Sequence, residues 1–240
     1  MEKKFKILII INILFLLIIT LIIFFSFKPI IKSPNSGNCN IIKINGEPSD
    51  KIDIVFLTDN LDEVKLLELS NLYINEIFNF TPFSSAKTKF NFYYIPNKTT
   101  CEINNNFLFC YNKQTIQLAS SCNYDYIFVL SSRNSIIRSS AYMGIGSINI
   151  NSPKQIILHE FGHLFANLAD EYVPSSLPFN QKNCFSSCNY LHANSYGCYQ
   201  GCSNNNYFRS SQNSIMRSLF SKSYYELNEN IIKNYLEKYK

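Results

Sequence analysis

The sequence predicts a mixed α/β (α+β) fold over residues 51–240, and two observations predict it. Apolar patterns typical of strands and helices alternate from residue 51 onward, in the order strand, helix, three strands, helix. A stretch of about 45 residues rich in cysteine and asparagine follows, and the chain then closes on a helix pattern. The order of these elements indicates a sheet covered by helices, with a long irregular segment before the last helix.

The first predicted strand is "KIDIVFLTD" at 51–59, a compact run rich in Ile and Val and bounded by turn residues. A helix is predicted over 61–79, because apolar residues recur there at helical spacing. These residues are Leu66, Leu69, Tyr73 and Ile77. Asn60 is the predicted N-cap of this helix, and Glu63 three residues later completes a capping-box pattern.

Three further strands are predicted at 89–95, 124–132 and 146–150. The helix that follows is predicted over 153–166, in "PKQIILHEFGHLFA". Ser152 is its expected cap, Pro153 suits the first helical position, and Gln155 completes a second capping box. The last helix is predicted within 223–240, where one face carries Leu227, Ile231, Tyr235 and Tyr239.

An apolar run of 21 residues without a charge, at 7–27, precedes this domain. About 20 such residues span a bilayer as a helix. Lysines lie on both sides of the run: Lys3, Lys4, Lys6, Lys28 and Lys32. We therefore predict a membrane anchor at 1–28 with the N-terminus in the cytoplasm, a linker at 29–50, and a folded domain at 51–240 outside the cytoplasm. A cleaved signal peptide, which would release a secreted domain, is the alternative, although "SFKPIIKSPN" offers no A-x-A-like cleavage site.

The charge of the globular part argues against nucleic acid as a partner. The whole chain carries 22 basic and 17 acidic residues, and the first 28 residues hold four of those lysines and one glutamate. The remaining 18 basic and 16 acidic side chains nearly balance, and they form no basic stripe.

All eight cysteines follow the predicted anchor, and an even number outside the cytoplasm indicates disulfides. Cys101 and Cys110 could close one loop. The C-x3-C and C-x3-C pairs at 184–202 could form two nested bridges, Cys184 with Cys202 and Cys188 with Cys198. A four-thiolate zinc site is the alternative, although structural zinc sites prefer C-x2-C or C-x4-C spacing.

The strongest chemical signal is "LHEFGHLFANLADEY" at 158–172. The chain has only three histidines, and His159 and His163 lie four residues apart on the predicted helix, so both project from one face. Two imidazoles in this arrangement bind Zn²⁺, and Glu160 is placed to act as general base for a zinc-bound water. The structural alternative is that the two histidines lie beside a surface glutamate by chance. The capping pattern predicted for this helix argues against that alternative, because the motif requires a helix.

A catalytic zinc requires a third protein ligand. The helix must end before the chain can return to the metal, and Asn167 is the residue suited to a left-handed helix terminus. Asp170, three residues later, is the predicted third ligand.

The stretch "HEFGHLFANLADEY" resembles the signature of the igalysin family, the IgA-peptidase-type zinc metalloproteases of the metzincin clan. The family pattern is H-E-x-G-H, a short spacer, a Gly turn and L-x-D-E-Y, and Asn167 replaces that glycine here. Metzincins also place a methionine turn beneath the metal, and "NSIMRS" supplies Met216. The resemblance implies a metzincin-like domain at 51–240, with a twisted mixed sheet and an active-site helix.

The same resemblance implies a zinc endopeptidase that hydrolyses a protein or peptide substrate. Glu160 then activates the zinc-bound water, Glu171 and Tyr172 orient the turn, and Tyr172 can also reach the cleft. "AYMGIGS" at 141–147 is the expected upper rim of that cleft. His192 is either a loop histidine or a cleft residue that donates to the oxyanion. Cys39 could cover the zinc in a latent form or pair with another cysteine such as Cys122.

Three alternatives remain open at this stage. The protein could be a gluzincin-type peptidase whose third ligand is Glu226 or Glu229. It could be a surface protein that keeps zinc without catalysis, although a structural site has no use for Glu160. It could also be an anchored binding module that acts through its cysteine-rich loop.

Overall fold

The computed structural model describes residues 39–240, so the predicted anchor at 7–27 lies outside the described residues. The strands are β1 (Asn40–Lys43), β2 (Ile52–Thr58), β3 (Phe90–Lys98), β4 (Glu102–Asn104), β5 (Phe107–Phe109), β6 (Tyr126–Ser131), β7 (Ser140–Tyr142), β8 (Ile145–Asn149), β9 (Tyr199–Cys202) and β10 (Asn204–Arg209). The α-helices are α1 (Glu63–Phe78), α2 (Lys113–Ala119), α3 (Ile156–Ala166), α4 (Asn189–Ala193) and α5 (Glu226–Leu236). Between residues 39 and 240, no helix combines the length and the apolar character needed to cross a bilayer.

A six-stranded, twisted mixed sheet organises the fold, in the order β1-β3-β2-β6-β8-β7. The four inner strands run parallel, and the two edge strands β1 and β7 are antiparallel to their neighbours. Every residue of β2 is buried, as expected for a central parallel strand covered on both faces. The predicted α/β fold with a twisted mixed sheet and a C-terminal helix is confirmed.

The core lies on both faces of the sheet, because successive side chains of a strand point to opposite faces. Ile54 and Phe56 of β2 point to the larger core, where α1, α3 and α5 cover a cluster of phenylalanines. Val55 and Leu57 point to a smaller core that contains Ala119 of α2 and several half-cystines. Helix α3 is therefore buried against the sheet, which gives any site on it a rigid base.

The predicted helix starts need correction. Helix α1 is capped by Asp62, whose carboxylate accepts from the backbone N–H of Lys65. Asn60 lies too early for that role, and its side chain instead exchanges two hydrogen bonds with the backbone of Ser132 after β6. Helix α3 begins at Ile156 rather than at residue 153, without a side-chain cap. Pro153 lies in a preceding turn, where its carbonyl accepts a hydrogen bond from the backbone N–H of Ile156. Gln155 rather than Ser152 occupies the N-cap position, and its side chain makes no capping hydrogen bond.

The predicted linker at 29–50 also needs correction, because its C-terminal part belongs to the domain. Strand β1 pairs with β3 as a sheet edge, and a disulfide joins Cys39 to Cys122. That pairing also takes Cys39 away from any role over a metal. A four-residue edge strand with one apolar and one polar residue on each face has a weak sequence signal.

Four disulfides pair all eight cysteines. Cys101–Cys110 closes the β4–β5 hairpin, and Cys184–Cys202 encloses Cys188–Cys198 as the predicted nested pair. The alternative of a four-thiolate zinc site in this segment is therefore contradicted. The stretch of about 45 residues after α3 is also less irregular than predicted, since it contains α4 and the β9–β10 hairpin.

Candidate metal centre

Helix α3 carries the candidate site on the face that looks away from the phenylalanine core. Phe161 and Phe165 anchor the helix in that core, where both are almost fully buried. Gly162 allows a close approach from below, because a Cβ at this position would lie 2.6 Å from the sulfur of Met216. His159 and His163 lie four residues apart, so their side chains project together from the side of the helix opposite Phe161 and Phe165.

The chain turns back beneath the histidines immediately after α3. Asn167 adopts the left-handed conformation, with φ 50° and ψ 40°, and ends the helix as predicted. The backbone carbonyl of Leu168 then accepts a hydrogen bond from Nδ1 of His163 at 2.6 Å. Asp170 follows, and its Oδ1 lies 3.0 Å from Nε2 of His159 and 3.3 Å from Nε2 of His163.

The hydrogen bonds of the two imidazoles define which nitrogen faces the site. Nδ1 of His159 bonds the carbonyl of Ile215 at 2.9 Å, and Nδ1 of His163 bonds that of Leu168. Carbonyl oxygens only accept, so both Nδ1 atoms carry the proton. In the neutral tautomers both Nε2 atoms therefore present lone pairs to the carboxylate of Asp170, and the two Nε2 atoms are only 3.1 Å apart.

Three acceptors that converge in this way require a cation among them. Oδ1 of Asp170 is buried and has no hydrogen-bond partner between residues 39 and 240. A proton on His163 is one candidate for this cation. Burial alone would lower the pKa of His163, but the carboxylate of Asp170 raises it to about 9. Burial likewise acts to raise the pKa of Asp170, but the two imidazoles hold it well below its ordinary value.

A metal ion fits the cluster better than a proton, because it satisfies all three atoms at once. Ligand atoms about 2.0–2.1 Å from a tetrahedral zinc ion lie about 3.3 Å from one another. The separations of 3.1, 3.0 and 3.3 Å agree with this spacing. Two imidazole nitrogens and one carboxylate oxygen are also a donor set that zinc accepts. Hydrogen bonds from Nδ1 to carbonyls are the usual support for such histidine ligands.

Glu160 lies beside this cluster and lines the same cleft. The residue is only 4% exposed, and burial raises the pKa of its carboxyl above the ordinary value, against the opposing effect of the two histidines. A carboxylate that is a stronger base than usual and opens onto a cleft suits proton transfer.

The segment 213–217, here the Met216 turn, supports the candidate metal centre from below. Met216 is fully buried, and its sulfur packs against Gly162 of α3. The carbonyl of Ile215 holds His159, while that of Met216 accepts from the backbone N–H of Glu171. The predicted position of Met216 beneath the histidine helix is thus the one observed.

Glu171 ties three separate segments to the loop that carries Asp170. Its carboxyl is fully buried and accepts from Ser214 of the Met216 turn, Asn228 of α5 at 2.9 Å and Asn183 at 3.2 Å. Burial raises the pKa of this carboxyl, and the three hydrogen bonds act in the opposite direction. Asn183 also exchanges two hydrogen bonds with the backbone of Ala169. The sequence prediction that Glu171 orients the turn agrees with these contacts.

We expect Glu171→Ala to lower the free energy of unfolding by about 2–4 kcal/mol, because it leaves three buried donors without their acceptor. Urea denaturation followed by far-UV circular dichroism measures the loss. Glu171→Gln is the matched control: it keeps the volume and one acceptor oxygen, so its loss should be smaller. An unchanged unfolding midpoint in Glu171→Ala would show that this network does not stabilise the domain.

The disulfide Cys184–Cys202 packs directly against the loop that contains Ala169 and Asp170. Ala169 lies in a small buried cluster with both half-cystines, and each sulfur is 3.9 Å from the backbone carbonyl of Asp170. The hydroxyl of Ser203 donates to the same carbonyl at 2.9 Å. The cysteine-rich segment therefore forms a support for the third candidate ligand.

Replacing Cys184 and Cys202 together by alanine should cost about 2–5 kcal/mol of stability. It should also weaken zinc binding, since the loop that carries Asp170 loses its support. The pair Cys188→Ala and Cys198→Ala is the matched control, because that bridge lies in the same segment without contacting Asp170. Isothermal titration calorimetry with Zn²⁺ separates the two variants, and equal zinc affinities in both would contradict the supporting role.

The candidate site opens into a cleft of about 780 Å³. Its rim includes Ala141–Gly144, within the stretch predicted as the upper rim, and its far side includes Pro174–Ser176. Tyr172 also lines the cleft, its ring 6.3 Å from that of His159, and its hydroxyl accepts from Arg138 at 2.5 Å. Burial raises the pKa of Tyr172 to about 12, so the phenol stays protonated at neutral pH.

The other predicted site residues lie elsewhere. His192 is exposed on the short helix α4 and does not line the cleft. Glu226 and Glu229 occupy the first turn of α5, also outside the cleft lining, whereas Asp170 lies within reach of both histidines. The ligand set thus favours Asp170 over the later glutamates.

Several residues of the site had no recognisable sequence signal. Arg138 lines the cleft, Ser175 donates to Oδ2 of Asp170, and Asn183 and Ser214 hold the loop. Ser175 and Asp170 lie close in the sequence but in a loop without a regular spacing, and the other three side chains act between segments that are distant in sequence.

A scan against protein-family models gives no match, and a search of curated proteins finds no relative of this chain. The interpretation of the site therefore depends on its motif and its geometry.

Proposed function

We propose that this protein is a zinc-dependent endopeptidase whose ligands are His159, His163 and Asp170. One observation carries the proposal: three acceptor atoms converge at the base of an open cleft, with the Glu160 carboxylate beside them. A purely structural site would need neither the cleft nor the adjacent base. Six residues separate His163 from Asp170, and the left-handed conformation of Asn167 among them turns the chain back. All three proposed ligands therefore come from one continuous segment of the chain.

The side chains divide the work of peptide hydrolysis among them. Zinc held by these ligands would supply a Lewis acid that acidifies water and polarises the scissile carbonyl. Glu160 accepts the proton of the attacking water and delivers it to the leaving amine. His159 and His163 keep their lone pairs directed at the site through their bonds to Ile215 and Leu168. The negative charge of Asp170 would make a metal held there a weaker Lewis acid than a third neutral imidazole would.

We further propose that the domain is metzincin-like and related to the igalysins. Support comes from the sequence of "HEFGHLFANLADEY", the Asn167 turn, and the buried Met216 beneath the helix. Asn167 tolerates the left-handed conformation that glycine would otherwise supply, so the departure from the family pattern leaves the turn intact.

The proposed place of action is the outer face of a membrane, with segment 7–27 as the anchor. The four disulfides favour an oxidising compartment for residues 39–240. The substrate is a protein or peptide that reaches the cleft from outside the cell.

The proposal is tested by cleavage of a denatured protein substrate with the purified full-length chain. We expect fragments to appear, to disappear after treatment with 1,10-phenanthroline, and to return when Zn²⁺ is restored after removal of the chelator. Cleavage that survives complete metal removal, or no cleavage of any denatured substrate by the zinc-loaded protein, would contradict the proposal.

A further inference from the structure

Arg138 is a cation in the cleft that forms no ion pair with a carboxylate in the described part of the chain. Its side chain is exposed and lines the cleft beside the candidate metal centre. Over residues 39–240, no Asp or Glu oxygen lies within 4.0 Å of its guanidinium. By contrast, Arg133, five residues earlier, is paired with Asp59. Arg138 is thus free to pair with a charge that arrives from outside.

The backbone of Arg138 is held in place by the β4–β5 hairpin. Its N–H donates to the carbonyl of Asn106 and its own carbonyl accepts from Leu108, both at 2.8 Å. The Cys101–Cys110 disulfide closes this hairpin. A hairpin of two three-residue strands has little stability alone, so the disulfide fixes the platform that positions the arginine.

The guanidinium itself is positioned by two aromatic rings. Its central carbon lies 4.7 Å from the ring centroid of Phe107 and 5.5 Å from that of Tyr172. One N–H group donates to the Tyr172 hydroxyl. A guanidinium has five N–H donors, so others remain to bind an acceptor in the cleft. An arginine that is already oriented loses less entropy when it binds a carboxylate in a bidentate manner.

The charges of the cleft lining favour an acidic ligand. The acidic side chains of the lining are Glu160 and Asp170, and both are committed to the proposed metal chemistry. The basic ones are Arg138 and Arg217, and Arg217 likewise lacks a carboxylate within 4.0 Å among the described residues. With a divalent ion bound, the lining carries a net positive charge.

We propose that Arg138 is a specificity residue that binds a carboxylate of the peptide substrate close to the scissile bond. The inference rests on the proposed peptidase function and names its substrate class: peptides with an acidic group. Tyr172 contacts both Arg138 and His159, so the guanidinium lies near the reacting bond. An extended peptide advances about 3.3–3.6 Å per residue, which places the acidic group within about three residues of the cleaved bond. The carboxylate belongs either to an Asp or Glu side chain or to the free C-terminus.

The test uses sets of internally quenched peptides that share one cleavable sequence. Within a set, Glu is exchanged for Gln at each of the three positions on either side of the cleaved bond, and the C-terminus is free or amidated. We expect the zinc-loaded wild type to show a kcat/KM higher for one acidic peptide than for its amide counterpart, by roughly 10- to 100-fold. The position of the effect identifies the source: a Glu/Gln pair indicates a side chain, and a free/amidated pair indicates the C-terminus.

Variants then assign the preference to Arg138. Arg138→Gln should abolish the preference for the acidic peptide, Arg138→Lys should keep part of it, and Arg138→Glu should invert it, so that the amide peptide is cleaved faster than the acidic one. The test uses the ratio of kcat/KM between the acidic and the amide peptide, and not either kcat/KM alone. The reason is that Arg138 also acts electrostatically on Glu160 and can alter the cleavage of every peptide. Lys113→Gln, an exposed cation outside the cleft, is the control for a general change of charge.

Binding provides a second measurement that does not need catalysis. Fluorescence anisotropy with the acidic and amide peptides, in the Glu160→Gln background, should show the same preference and its loss on adding Arg138→Gln. A wild type that cleaves both members of every pair equally, or a preference that persists in Arg138→Gln, overturns this inference and leaves the peptidase proposal standing. If no peptide is cleaved, the result counts against the peptidase function. If the acidic and amide peptides also bind with equal affinity, the Arg138 subsite is overturned as well.

Discussion

Glu160→Gln should retain the metal and the fold and lose peptide hydrolysis, with kcat lower by roughly 10²–10⁴-fold. The reason is geometric: Glu160 lines the cleft beside the ligand cluster without belonging to it. Glutamine keeps the size of the side chain but cannot accept a proton from water at neutral pH. The measurement is kcat on a quenched peptide, with zinc content determined on the same sample.

Glu229→Gln is the matched control for this variant, because it neutralises a carboxyl on α5 outside the cleft. Its kcat should equal that of the wild type. Activity of Glu160→Gln close to the wild-type value would remove Glu160 from the role of base and with it the proposed mechanism. Loss of zinc in Glu160→Gln would instead make it a ligand, contrary to the geometry.

Asp170→Ala should weaken zinc binding by at least about 100-fold, since residues that only support a ligand already contribute 10- to 100-fold. The two histidines alone leave the ion with too few protein ligands for a stable site. Asp170→Asn keeps the shape but loses the charge: its amide oxygen can take the place of Oδ1, while its NH2 group takes the place of Oδ2 and donates to Ser175, so we expect an intermediate affinity. Competition with a fluorescent zinc chelator measures the zinc affinity of the wild type and of the two Asp170 variants.

Glu226→Ala and Glu229→Ala serve as controls for Asp170→Ala, because both residues were candidates for the third ligand. Neither lies in the cleft lining, so neither change should alter zinc affinity. Wild-type affinity in Asp170→Ala, together with a loss in either glutamate variant, would assign the third ligand to α5 and favour the gluzincin alternative.

The parts of the fold that the sequence predicts are those with strong local signals. The central strand at 52–58 is buried on both faces, and its residues 54–57 are accordingly a continuous apolar run. The two histidines are brought together by helical periodicity alone, and Asn167 marks the turn that returns Asp170 to them. The spacing of the cysteines at 184–202 similarly indicated the nested disulfides that are observed.

The parts that the sequence does not predict depend on contacts between distant segments. The cap of α1 is Asp62 rather than Asn60, because Asn60 is taken by the backbone of Ser132, 72 residues away. Glu171 meets Asn228 and Ser214 only after the whole domain has folded. Arg138 resembles any exposed arginine until the hairpin beside it is formed. No pattern within a short window carries such information.

The zinc site is the central claim, and the X-ray absorption spectrum of the purified protein at the zinc edge tests it most directly. We expect one zinc per chain in a shell of nitrogen and oxygen at about 2.0–2.1 Å, with imidazole scattering from two histidines. Asp170→Ala should lose the metal or change this shell, while Glu160→Gln should leave it intact. A shell containing sulfur at about 2.3 Å, or protein that binds no zinc with its four disulfides formed, would contradict the account.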